Sequence, residues 1–334
     1  MELKEETSAT VPAGTPAVAA GPSPNGKVKR PRRVKERNTG GWLPYGLVLP
    51  SALVMFLVLG VPIYTMVRFS LSRYDLQDIL KHVPHYWGLT NFSTLFHDSL
   101  FWSATWKTYV FMAACVLLTV VPGLFVALLF TKLSTWVRLL LTTGLVFVWA
   151  MPVLVYVNIF KFLTDREFGV LNYVFFKLGL QSELLHKWTD STWQGYLLVV
   201  LMIAWVGLPF IAITTYAALS QVPQELVEAA RVDGATGFRT FFAITLPVLK
   251  PTLMILVTLS IIWDFGVFVQ LYALFESGAI PEAYWILPIY VYQNAVALGH
   301  YGLGAAASLM FVVFTAPFGI VYARQLLRQQ SDFA

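Results

Sequence analysis

The chain has 334 residues, of which 57% are hydrophobic and only 12% are charged, against about 25% charged in an ordinary soluble domain. That balance excludes a soluble globular protein. A formal net charge of +5 would suggest nucleic acid in a soluble chain, but here the excess comes from a short block before the first apolar run. It is read as a topology signal, and no nucleic-acid partner is expected.

Residues 1–41 read as a separate, basic tail. Its stretch "SATVPAGTPAVAAGPSPNG" (8–26) has no aromatic residue, cannot bury enough surface to offset chain entropy, and is expected to be disordered. The cluster "KVKRPRRVKER" follows. A cleaved signal peptide does not fit, because this basic run starts about 26 residues in and the apolar span after it is too long.

A helix crossing a bilayer core needs about 20 apolar residues. Six runs qualify, approximately 43–69, 103–131, 138–163, 195–219, 251–275 and 303–325. The fold class is therefore all-α integral membrane with six transmembrane helices, a membrane domain over 42–326 and a short tail at 327–334. Six spans put both termini on one side. The turn "TKLSTWVR" carries Lys132 and Arg138 and no acid, while loop 276–302 holds Glu276 and Glu282 and no Lys or Arg. The Lys/Arg bias places both termini, and the loop 220–250, in the cytoplasm of a cell-membrane protein.

Within the spans few residues carry chemistry. Cys115, the single cysteine, lies in an apolar run, so an internal disulfide is impossible and a packing role is expected. Asn158 in the third run is expected to hydrogen-bond another helix. His82, His85, His97, His186 and His300 all fall in outer loops; His82 and His85 with Asp78 nearby have a metal-like spacing, but solvated loop residues are the expectation and no metal site is predicted. The phosphate-cradling loop GxxxxGK[ST] is absent, the only Gly-Lys pair being Gly26-Lys27 in the tail. The chain is expected to hydrolyse nothing itself and to hold no cofactor.

The polar stretch "QELVEAARVDGATGFRTFFAITLPVLKP" (224–251) interrupts this greasy pattern. Pro223 suits a helix start, Glu225 and Glu228 favour the positive dipole end, and Gly234 suits the left-handed stop after Asp233. Val222, Leu226, Ala229 and Ala230 form an apolar face and Gln224, Glu225, Glu228 and Arg231 a polar one. From Pro223 to Asp233 this is a rod of roughly 16 Å, too short to be stable without something to dock against. Pro247 and Pro251 are expected to limit how helix continues into the fifth span.

The run "EAARVDGATGFRTFFAITLP" resembles the EAA motif of ABC importer permeases, at Glu228, Ala229, Ala230, Asp233, Gly234, Ile244, Leu246 and Pro247. The resemblance extends over approximately 43–325 and points to the carbohydrate-uptake branch, similar to maltose and oligosaccharide importer permeases. Carrying it are "LPSALVMFLVLGVPIYTMVRFSL", "GLTNFSTLF", "FWSATWKTYVF", "MPVLVYV", "FGVLNYVF", "WVGLPF" and "YGLGAAAS". It implies that this chain forms half of a transmembrane pathway for a sugar, paired with a second, homologous permease. An ATPase dimer binding ATP and Mg would sit at the cytoplasmic face, and an extracytoplasmic solute-binding protein would deliver the substrate. The EAA stretch would be the coupling helix that docks into the ATPase.

For the sugar, aromatic faces and hydrogen-bonding side chains near the end of span five and before span six are the candidates. They are Trp263, Asp264, Phe268, Gln270, Tyr272, Tyr290, Tyr292 and Asn294. An acid at mid-span is costly against lipid, so Asp264 should face the pathway, another helix or another subunit. Here "FVQLYALFESGAIPEAYW" replaces the family's Phe-Asp-then-Tyr pattern and Gly-Gly-Pro loop, which puts the substrate contacts in doubt. The rival reading, an ion-driven secondary transporter or channel subunit, predicts several intramembrane charges or repeated halves; only Asp264 lies well within a span.

Overall fold

The computed structural model describes residues 43–76, 78, 85–180, 185–275 and 280–332. The expectations for residues 1–41, His82 and Glu276 lie outside the described residues. The chain divides into two compact units, residues 1–54 and 55–334.

The first span is α1 (Leu43–Ser70), apolar on all sides as a lipid-embedded helix is. In the second unit its residues Phe56 and Tyr64 stay exposed. A two-residue hairpin, β1 (Ser72–Arg73) against β2 (His85–Tyr86), follows, then α2 (Thr90–His97). Asn91 of α2 is buried and donates to the carbonyls of Ser70 and Ser72, both at 2.8 Å, satisfying groups that the end of α1 leaves open. The second span is α3 (Ser99–Phe130), capped by Asp98, whose carboxylate accepts from the Leu100 N–H at 2.8 Å.

The third span differs from the single run expected over 138–163. It is two helices, α4 (Thr135–Trp149) and α5 (Val153–Leu163), bent by 99°. Pro152 is the physical cause: its ring disfavours helical geometry at Met151, and its own ψ of 144° is extended. After α5, the Asp165 carboxylate accepts from the backbone N–H groups of Phe168 and Glu167, which hold it below the usual carboxylate range. In α6 (Val170–Lys177), Asn172 donates to the carbonyls of Asp165 and His186 and accepts from the Trp188 indole at 2.7 Å. The motif "FGVLNYVF" thus contains the latch of this connecting segment.

The fourth span is α7 (Thr192–Leu219), followed by α8 (Gln224–Val232) and α9 (Gly237–Thr240). A wide π turn, Phe241–Thr245, leads into α10 (Leu246–Phe265). Helix from Gly237 to Phe265 forms one candidate span, so it starts well before the expected 251. Pro247 and Pro251 fall in its early turns, directly after the wide turn, and do not stop it. The run continues as a separate α11 (Val269–Leu274), a short turn at Glu282–Tyr284, α12 (Leu287–Tyr292) and a second π turn, Gln293–Ala297. The last span is α13 (Tyr301–Asp332), which carries helix into the segment expected as a tail. Among the described residues five helices are long and apolar enough to cross a membrane, six if the bent α4–α5 pair is counted as one span. The protein is a multi-pass membrane protein.

Helices α3 and α7 make the closest pairing. Gly123 faces Ile211 and Gly207 faces Thr119, so backbones approach where small residues allow it. A Cβ on Gly123 would stand 2.7 Å from Ile211 Cγ2, whereas one on Gly144 of α4 would meet nothing within 4 Å. Gly123→Val is expected to cost about 1–3 kcal/mol through overpacking, and Gly144→Val far less. Thermal unfolding in detergent checks this: equal melting temperatures for the two variants would refute the packing argument.

Candidate functional site

Helix is interrupted at two places within apolar stretches of the chain, and the interruptions belong to neighbouring elements. Helix α10 ends at Phe265, Gly266 caps it at φ −93°, and Phe268 (φ −133°, ψ −56°) starts α11. The other break is Ala150–Pro152, between α4 and α5. Helix α11 packs on α5, and the Gln270 amide donates to the Tyr156 hydroxyl at 2.8 Å across them. Irregular backbone at membrane depth is tolerated only where protein buries it or a water-filled cavity borders it. A paired break of this kind is where membrane proteins place polar ligands.

Aromatic side chains gather around the breaks. Phe268, Tyr272 and Tyr292 form a triangle with ring centroids 5.1–5.3 Å apart, and the two tyrosine hydroxyls lie 3.3 Å from each other. A second row runs from Trp149 to Phe210 at 6.2 Å and from Phe210 to Trp263 at 5.5 Å. Trp149 and Trp263 are half exposed, at 49% and 51%. Rings presented in this way offer flat apolar faces beside hydroxyl and amide groups.

Of the residues expected at a substrate pathway, Trp263, Phe268, Gln270, Tyr272 and Tyr292 are in these two groupings. The other three are placed elsewhere. Asp264 turns into the protein interior, within electrostatic reach of Cys115, and its Oδ2 is buried with no hydrogen-bond partner among the described residues. Tyr290 is 1% exposed and donates to Asp98 Oδ2 at 2.6 Å, and Asn294 donates to the Tyr290 carbonyl at 2.9 Å. Both are core contacts. Asn158, expected to bond another helix, is exposed instead. Sequence reasoning missed Trp149, Tyr156 and Phe210; the proline of "WAMPVL" was the available signal, since it breaks the helix that carries two of them.

At the other end of the bundle, α8 has the geometry expected of it. The Ala235 N–H bonds the Ala230 carbonyl at 2.9 Å and the Gly234 N–H bonds the Arg231 carbonyl at 3.0 Å, with Gly234 at φ +77°. That is a Schellman stop, and it needs glycine. Thr236 then caps α9 through the Arg239 N–H. The face that packs differs from the one expected: Val222, Val227 and Ala230 are half-buried, while Leu226, Ala229 and Val232 are exposed, Val232 at 88%. Phe238 of α9 is also exposed. Asp233 and Pro247 are exposed, whereas Ile244 and Leu246 are half-buried. Glu228 and Arg231 line a cavity of about 560 Å³ beside the helix.

A larger cavity, about 940 Å³, lies between the α5–α7 connection and the segment after α11, with Asp165, Lys187, Trp188, Asp190 and Tyr284 among its walls. Lys187 and Asp190 pair at 3.5 Å. Among the described residues no group of three His, Cys, Asp or Glu side chains converges as a metal site would require.

The family described as "Binding-protein-dependent transport system inner membrane component" matches residues 119–328. The chain is 36% identical over 293 residues to the diacetylchitobiose uptake system permease protein DasB of Streptomyces coelicolor, covering 88% of this chain and 89% of that one. It is 29% identical over 283 residues to the trehalose/maltose transport system permease protein MalF of Thermococcus litoralis, covering 84% and 92%. Among solved structures, a bacterial ABC transporter that imports the acidic polysaccharide alginate aligns with a TM-score of 0.71 at 20% identity, covering 85% of this chain and 95% of that one.

The split between core and presented tyrosines is testable. Tyr290→Phe leaves the half-buried Asp98 carboxylate without its tyrosine donor and, as the loss of a hydrogen bond to a charged group, is expected to cost about 1.5–3 kcal/mol. Tyr292→Phe removes only a long hydroxyl contact and is expected to cost under about 1 kcal/mol. Melting curves in detergent that ranked the two the other way would overturn the assignment.

Proposed function

This chain belongs to the family of binding-protein-dependent transport system inner membrane components, and on that premise we propose that it forms half of the transmembrane pathway of a di- or oligosaccharide importer. A second, homologous permease supplies the other half. An ATPase dimer that binds ATP and Mg docks on α8, and an extracytoplasmic solute-binding protein delivers the sugar. Both termini and α8 then face the cytoplasm.

The observation that carries this reading is the state of α8. It is a nine-residue helix that rests on the body along one side only, with Leu226, Ala229 and Val232 uncovered on another and a glycine stop at its end. A helix so short needs further burial to be held firmly. Glu228, Ala229, Ala230, Asp233 and Gly234, with Ile244, Leu246 and Pro247 behind them, make the proposed coupling element. The sugar class is supported by relatives named for diacetylchitobiose and for trehalose and maltose. The aromatic faces of Trp263, Phe268, Tyr272 and Tyr292, with Gln270, suit a sugar ring.

Replacing Gly234 with Glu is expected to leave membrane insertion intact while abolishing sugar uptake and recruitment of the ATPase. A side chain at φ +77° is strained by roughly 1–2 kcal/mol, and the added charge sits at the docking surface. Uptake of labelled disaccharide and co-purification of the ATPase measure this; normal values for both would remove the coupling role. Diacetylchitobiose is the first ligand to assay against the associated binding protein.

A further inference from the structure

The cavity of about 560 Å³ beside α8 has walls from five places: the end of α3 and the turn after it, the start of α4, the end of α7, α8 itself and Thr245 of the π turn. Lys132, Arg138 and Arg231 line it against one acid, Glu228. Among the described residues none of these three cations has a carboxylate within 4.0 Å. Arg138 is half-buried and lies 5.3 Å over the ring of Tyr216, which holds its guanidinium at the cavity instead of in bulk solvent. A volume of this size is that of a ligand pocket, many times the roughly 30 Å³ share of one water.

Three converging cations answered by one carboxylate leave an uncompensated positive charge that a compact polyvalent anion would satisfy. Lys and Arg side chains offer many N–H donors, and a phosphate group accepts them at close range. We propose that this cavity binds a phosphate group, and that in the membrane the group is the headgroup of an anionic phospholipid. The position favours lipid over a free ion. Lys132 and Arg138 flank the short turn between two membrane spans, and on the adjoining α4 Trp136 and Leu140 stand 82% and 72% exposed, as residues beside acyl chains do. The occupant would bridge Arg231 on α8 to Lys132 and Arg138 on the body, fixing how α8 sits. The inference requires only a membrane protein, so it stands or falls apart from the sugar and the ATPase.

The test uses the full chain purified in a neutral detergent and titrated with phosphatidylglycerol, phosphatidylcholine or inorganic phosphate, bound species being counted by native mass spectrometry. Phosphatidylglycerol is expected to be retained and phosphatidylcholine not. The double variant K132Q/R138Q is expected to weaken phosphatidylglycerol roughly twenty- to thirtyfold. The charge-keeping variant K132R/R138K is expected to retain it, which separates lost charge from a damaged fold. Inorganic phosphate that binds alone, with the same sensitivity to K132Q/R138Q, would uphold the phosphate site and assign it to the free ion. Phosphatidylglycerol affinity unchanged in K132Q/R138Q, or no binding of either anion, would overturn the proposal. So would a K132Q/R138Q variant whose sole defect is loss of the ATPase, since the occupant would then be protein.

Discussion

Backbone in hydrocarbon must satisfy its own hydrogen bonds, and the aromatic groupings of this chain gather where that rule is locally relaxed. Most spans obey it as unbroken helices. The exceptions are Ala150–Pro152 and Gly266–Phe268, and the Gln270–Tyr156 bond at 2.8 Å ties the elements that follow them together. One break alone would leave polar backbone facing lipid. Two adjoining breaks, ringed by Trp149, Trp263, Phe268 and Tyr292, make a surface that a polar solute or a partner span can complete.

Packing is uneven along the bundle. The main core gathers Phe101, Met202, Phe265, Ile286 and Tyr290, where α3 and α7 begin and α10 ends. At the opposite end the buried apolar cluster is only Ala127, Leu219 and Leu249, beside α8. Dense cores resist deformation, whereas sparse ones permit it. The end that carries the proposed docking helix is therefore the more deformable one, and the opposite end is the one that holds shape. Asp98 reinforces the rigid end twice, as the cap of α3 and as the acceptor for Tyr290.

What could be read from sequence was local. Gly234 was legible because a left-handed helix stop has a chemical signature, and its φ of +77° follows from residues a few positions away. Which side of α8 packs was not legible: Leu226 and Val227 are adjacent, each belongs to an apolar stripe, and only the body against the helix chooses between them. The third span read as one run because hydropathy sums ignore direction, and Pro152 was absorbed into it. Tyr290 and Asn294 looked like pathway residues by type. In the structure both are buried and hydrogen-bonded, and Asp98 lies 192 positions away from Tyr290. The same limit governs Trp263 and Asp264: neighbours on a helix point about 100° apart, so one is exposed while the other is buried beside Cys115.

One continuous helix joins the two ends of the bundle. Helix runs from Gly237 to Phe265 over 29 residues, about 43 Å at 1.5 Å per residue. One terminus is three residues beyond the Gly234 stop of α8; the other is the break at Gly266. Thr236, whose side chain caps the first turn of that rod, stands between it and the end of α8. The wide turn at Phe241–Thr245 and the two prolines after it are the compliant part, near the sparse core. Beyond them the rod is regular and packs on α3 and α13, which support it along its length up to Trp263 and Gly266. The aromatic groupings beside Gly266 and the proposed coupling helix thus lie at the two ends of one continuous helix.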